Sequence, residues 1–118
     1  MNGEIKNSVI DLSYLEAAFD NNVMLLNTIL QSFLDDTPNG LIELEALGNA
    51  KKWNEVKSTA HKLKTSFNTI GSKKAGSLLQ SIESGVTSGD VSDFSNLIEE
   101  VKPLAVLVFK EVESRLNA

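Results

Sequence analysis

Apolar residues recur at helical spacing along most of this 118-residue chain. The clearest run is Trp53, Val56, Ala60, Leu63, Phe67 and Ile70, with steps of 3, 4, 3, 4 and 3. That spacing draws one apolar stripe along a helix over residues 53–70, closed by Gly71. Upstream, Asp11 can cap a short helix carrying Leu12, Leu15, Ala18 and Phe19. Asp20-Asn21-Asn22 breaks it, and a second helix turns Val23, Leu26, Ile29, Leu30, Phe33 and Leu34 inward. Thr37 as N-cap and Pro38 at the first helical position start a third helix with Leu41, Leu44 and Leu47, and Gly48-Asn49 loosens its end.

Downstream of Gly71, Ser72 can cap a helix presenting Ala75, Leu78, Leu79, Ile82 and Val86. Ser84 to Gly89 is small and polar and reads as a loop. Asp90 or Ser92 then opens the last helix, which Pro103 should kink or divide. No segment alternates for long with the period of a strand. The predicted fold is all-α: an up-down antiparallel four-helix bundle with a short accessory N-terminal helix across one end. Its hairpins are the second helix with the third and the fourth with the fifth. Residues 1–10 are expected to be a flexible N-terminal segment and residues 11–118 the bundle domain.

The composition narrows the chemistry. The chain has no cysteine, which excludes disulfides, thiolate catalysis and cysteine-ligated metal, and fits a reducing cytoplasm. Met1 to Ser8 lacks the apolar core of a signal peptide. The longest apolar run, Leu104 to Phe109, is too short to span a bilayer. No membrane association is expected.

Charge singles out one place. Seven of the 11 basic residues and only one of the 16 acidic residues, Glu55, fall within 51–74. That leaves 4 against 15 elsewhere, an acidic balance that argues against a nucleic-acid surface. In the middle of the basic window stands the only histidine, His61. At about 100° per residue it projects roughly 130° from the centre of the apolar stripe, so it faces outward. Lys57, one turn before, and Lys64, three residues after, flank the same surface, and Lys62 lies nearer its edge. Cations beside an exposed imidazole stabilise an anion placed on it, a phosphoryl group above all. One histidine without cysteine or a nearby acid pair is a poor ligand set, so no metal site is expected. An exposed helix face also offers no pocket or oxyanion site for a hydrolase.

The segment Ala60-His61-Lys62-Leu63-Lys64 through Gly71 resembles the signature of histidine-containing phosphotransfer (HPt) domains. That signature is a histidine, an aliphatic residue two on, a lysine or arginine three on, small residues next, and a glycine ten on. His61, Leu63, Lys64, Ser66 and Gly71 occupy those places. The Thr37-Pro38 helix, Trp53 and Leu78-Leu79-Gln80-Ser81-Ile82-Glu83 are similar to the family in spacing, so the resemblance covers residues 11–117.

The resemblance implies a phosphorelay intermediate without ATP binding or kinase activity of its own. His61 would accept a phosphoryl group from a receiver-domain aspartate and pass it to another receiver. Lys64 would help to hold the phosphate, with Lys57 as a second support. A polar residue on the neighbouring helix would orient the imidazole: Glu83, or Gln80 one turn earlier. Thr65, Asn68 and Lys62 fall on the docking face, and Thr65 stands where the family usually has glycine. The partners implied are receiver domains of response regulators or of a hybrid sensor histidine kinase. The chain itself would be a cytoplasmic monomer with no cofactor, and any magnesium would belong to the receiver. The competing reading is a helical docking module whose histidine is never phosphorylated.

Overall fold

The computed structural model describes residues 8–117. Among them are five α-helices and no strand: α1 Ser13–Ala18, α2 Val23–Asn49, α3 Trp53–Thr69, α4 Lys73–Ser88 and α5 Phe94–Leu116. The four long helices pack in a closed ring, α2 on α3, α3 on α4, α4 on α5 and α5 back on α2. The molecule is 42 Å long, and a 27-residue helix such as α2 spans about 40 Å. One helix therefore runs the whole length of the ring.

That helix corrects the expected start at Thr37-Pro38. The second and third helices of the sequence reading are one, and Pro38 lies inside it. The hairpin expected between them does not exist. An internal proline costs about 3 kcal/mol by removing a backbone bond. Here the buried stripe Leu26, Leu30, Phe33, Thr37, Leu44 and Gly48 continues across it and offsets the loss. Thr37 is 3% exposed and lies in the interior instead of capping. The cap that does form is Asn22, whose side chain accepts from the Leu25 backbone N–H at 3.2 Å. Likewise Pro103 does not divide α5, which is unbroken from Phe94 to Leu116. Pro103 is exposed, so water can satisfy the carbonyl it leaves unpaired.

The loop expected from Ser84 to Gly89 is mostly helix, since α4 continues to Ser88. Small polar residues are weak helix breakers, whereas left-handed backbone is a strong one. Gly89 has φ +82, and Asp90 N–H returns to the Gly85 carbonyl at 2.9 Å. The same closure ends α3 at the place its glycine indicated. Gly71 has φ +79, and Ser72 N–H bonds to the Phe67 carbonyl at 2.9 Å. Asp11 and Asp90 hold turns, accepting from the backbone of Ser13 and Ser92, while the helix N-cap positions fall at Leu12 and Asp93. Ser72 does stand at the N-cap of α4, but its side chain makes no capping bond.

The expected stripe of α3 is the centre of the core. Val56, Ala60, Leu63, Phe67 and Ile70 are buried. Phe67 meets Phe33 edge to face at 5.2 Å and Phe109 at 6.2 Å, so α2, α3 and α5 share one aromatic cluster. Trp53 is half-buried against Phe94 at 5.5 Å. Residues 1–7 of the expected flexible segment lie outside the described residues. Residues 8–10 run against the bundle: Val9 N–H and the Ser8 hydroxyl donate to the Glu111 carboxylate, and Ile10 is buried. Asp11 N–H bonds to the Ile70 carbonyl at 3.1 Å, and Arg115 pairs with Glu16 at 3.0 Å, which places α1 at the Gly71 end.

Two helical glycines should respond oppositely to alanine. A Cβ on Gly48 would sit 2.1 Å from the Phe94 ring, which the core holds in place. Gly48→Ala is expected to lose about 1–3 kcal/mol by overpacking, although alanine is the better helix former by about 1 kcal/mol. A Cβ on Gly76 would meet Asn68 Oδ1 at 2.0 Å. Asn68 is exposed and can turn away, so Gly76→Ala should be neutral or stabilising. Urea unfolding of the two variants measures both; equal losses would contradict this account.

Candidate functional site

His61 lies in the middle of α3, opposite the buried stripe, with 59% of its side chain exposed. The adjacent helix α4 supplies its partner. His61 Nδ1 is 3.1 Å from Glu83 Oε2. The other oxygen of the same carboxylate, Oε1, accepts from Lys64 Nζ at 2.9 Å. Lys64 also donates to Gln80 Oε1 at 2.7 Å, and Gln80 Nε2 donates to the Ser84 hydroxyl at 2.9 Å. One chain of side-chain bonds thus links His61, Glu83, Lys64, Gln80 and Ser84 across the α3–α4 groove. Lys64 and Glu83 are only 18% and 16% exposed, so their pair is better shielded from solvent than an ordinary surface ion pair.

The electrostatics settle the direction of the bonds. The Lys64 ammonium holds the Glu83 carboxyl below the ordinary glutamate value of 4.5, against the opposing effect of burial, and His61 adds to the lowering. An ionised carboxylate only accepts. A neutral imidazole must therefore donate from Nδ1, which leaves the Nε2 lone pair free and directed outward. The arrangement is a nucleophilic nitrogen whose tautomer is held by a half-buried acid.

Glu83 therefore carries a pH-dependent share of stability. Its carboxyl titrates lower in the folded state than in the unfolded chain, so this share is fully present above about 4.5 and lost as pH falls through the folded value. Wild-type stability is expected to fall more steeply below about pH 4.5 than that of Glu83→Gln. Urea midpoints measured between neutral and acidic pH test this. Parallel curves for the two proteins would show that Glu83 gains nothing from its partners.

The remaining expected site residues separate. Lys57 and Lys62 are exposed and form no ion pair among the described residues. Thr65 is exposed on the α2 side of His61, and its hydroxyl donates to the His61 carbonyl at 3.1 Å. Asn68 turns the other way and lies over Gly76 in the groove that Lys64, Lys73, Ser77 and Gln80 line. Gln80 contacts Lys64, and the imidazole's partner is Glu83. Ser84 joins the site without any sign of it in the expected Ser84 to Gly89 loop, because it lies on α4. Its signal was the i, i+4 spacing from Gln80, meaningful only once α4 is known to continue that far.

Among the described residues no helix is long and apolar enough to cross a membrane. No curated protein matches the chain. Among solved structures the chain is similar to histidine-containing phosphotransfer protein B (HptB) from Pseudomonas aeruginosa PAO1. The TM-score is 0.82 at 18% sequence identity, covering 94% of this chain and 96% of that one. At that identity the likeness speaks for the fold. A family model described as the Hpt domain matches residues 28–116, a span that contains α3, α4 and every residue of the hydrogen-bonded chain around His61. The all-helical ring, the outward histidine and this match together show that the chain belongs to the HPt domain family of two-component phosphorelays.

Proposed function

We propose that this protein accepts a phosphoryl group on His61 Nε2 from the aspartyl phosphate of one receiver domain and passes it to the aspartate of another. Membership of the family carries the coarser part: HPt domains are phosphocarriers rather than kinases, and they work with response-regulator receivers and histidine kinases. The observation that carries the finer part is the 3.1 Å contact between Nδ1 and a carboxylate kept ionised by Lys64. In the first transfer the Nε2 lone pair attacks phosphorus, and the P–O bond to the donor aspartate breaks with its electron pair. Nδ1 keeps its proton, shared with Glu83. The return step is the same reaction reversed, onto a second carboxylate.

The ring of four long helices, joined by short connections, is read as an up-down antiparallel bundle that holds α3 and α4 rigidly side by side. Lys64 and Lys57 are the phosphate supports. Thr65, Asn68 and Lys62 lie on the docking face, with the Thr65 hydroxyl turned back onto α3. The protein acts as a monomer in the cytoplasm and needs no cofactor of its own. The magnesium that activates the aspartate sits in the receiver.

The test is transfer from a receiver carrying labelled phosphate, followed by addition of a second, unlabelled receiver. Acid-labile, base-stable label should appear on the chain and then move to the second receiver. Binding of receivers without any labelling would favour the docking-module reading instead.

A further inference from the structure

The bonds around Lys64 give α4 a second role, one that rests on His61 being the phosphoacceptor. Glu83 offers one oxygen to His61 Nδ1 and the other to Lys64 Nζ. The ammonium is therefore held on the Nδ1 side of the ring, toward α4. Nε2, the nitrogen that would carry the phosphoryl group, is on the outward edge. Gln80 reinforces this placement. Its amide nitrogen is engaged by Ser84, four residues on along α4, which turns its carbonyl oxygen onto Lys64 at 2.7 Å. Of the three donors on the ammonium, two are taken.

We propose that Gln80, fixed by Ser84 and acting with Glu83, is a clamp that competes with the phosphoryl group for Lys64, and so sets the lifetime of phospho-His61. Gln80 is a positioning residue: it acts through Lys64. A phosphoryl dianion on Nε2 attracts the ammonium, but drawing it outward breaks the bond to Gln80 and loosens the one to Glu83. Loss of the group to water runs by attack of the water oxygen on phosphorus. The P–N bond breaks, its electron pair returns to Nε2, and inorganic phosphate leaves. In the loose transition state of phosphoryl transfer the phosphoryl oxygens cede charge to the leaving atom. An ammonium bound to those oxygens thus stabilises the phosphohistidine more than the transition state, and slows its loss. The clamp, by withholding Lys64, keeps the phosphohistidine labile and ready to transfer.

The experiment loads the full chain with phosphoramidate, a small-molecule histidine phosphorylating agent, and follows decay of the phosphohistidine signal by phosphorus NMR. Gln80 is exposed, so Gln80→Ala should fold normally, checked by circular dichroism. Its phosphohistidine half-life should lengthen about three- to tenfold, the net value of one ordinary solvent-exposed hydrogen bond. Ser84→Ala should lengthen it less. In a Lys64→Gln background, Gln80→Ala should change nothing. A half-life in Gln80→Ala that is unchanged or shorter would overturn the clamp, the shorter one showing that Gln80 aims Lys64 at the phosphoryl group. Absence of any phosphohistidine on the wild type would instead remove the phosphoacceptor reading, and the clamp with it.

Discussion

Replacing His61 by glutamine is expected to reduce phosphoryl uptake to background while leaving the fold untouched. Uptake requires a nitrogen lone pair, and the glutamine amide nitrogen has none available because its pair is delocalised into the carbonyl. Glutamine can still donate a hydrogen bond to Glu83, so the Glu83–Lys64 pair keeps its surroundings. The side chain is 59% exposed and off the core stripe, and substitutions at such places shift stability by about 0.5 kcal/mol or less. The two readouts are label incorporation from a phosphorylated receiver and the thermal midpoint. Label retained at the wild-type level would place the acceptor elsewhere and sink the assignment. A large fall in the midpoint would mean that His61 is structural.

Six residues along the same helix, Phe67→Ala should do the reverse. Phe67 is fully buried and joins Phe33 and Phe109 in the aromatic cluster that ties α3 to α2 and α5. Truncating such a ring costs about 3–5 kcal/mol through lost transfer energy and the cavity left behind. Single domains have only about 5–15 kcal/mol in total. A fall in the thermal midpoint on the order of 10–20 °C follows for a domain of this size. At temperatures where the variant is still folded, phosphoryl uptake per folded molecule should match the wild type, because no bond of the His61 chain involves Phe67. A midpoint within a few degrees of wild type would mean that neighbouring side chains collapse into the space. Uptake lost while the protein is folded would show that core packing sets the position of His61.

The contrast between these two positions was legible without coordinates. Both follow from one periodic stripe, because 3.6 residues per turn assigns each position of a long helix to a face. The closing glycine of α3 was legible for a similar reason. Left-handed backbone is open to few residues, and Gly71 takes it. Pro38 and Ser84–Gly89 misled for the opposite reason. Their signals are local preferences of a few kcal/mol or less, and burial along the rest of the helix outweighs them. Asp90 shows the same limit: its side chain favours a turn next to a helix start, and the turn forms while the helix begins later.

The sequence by itself determined the all-helical class, the interior of α3, the outward direction of His61 and the concentration of lysines around it. Each depends on residues close together in one helix, where spacing is geometry. The tertiary structure alone decided that α2 passes unbroken through Pro38. It alone decided that one carboxylate on α4 serves both His61 and Lys64, and that Gln80 and Ser84 hold Lys64 on the Nδ1 side. Those facts depend on how two helices are set in register across a groove. Register is fixed by the packing of side chains such as Leu79 and Ile82 against the core, and a shift of one turn, about 5.4 Å, would break every one of those bonds.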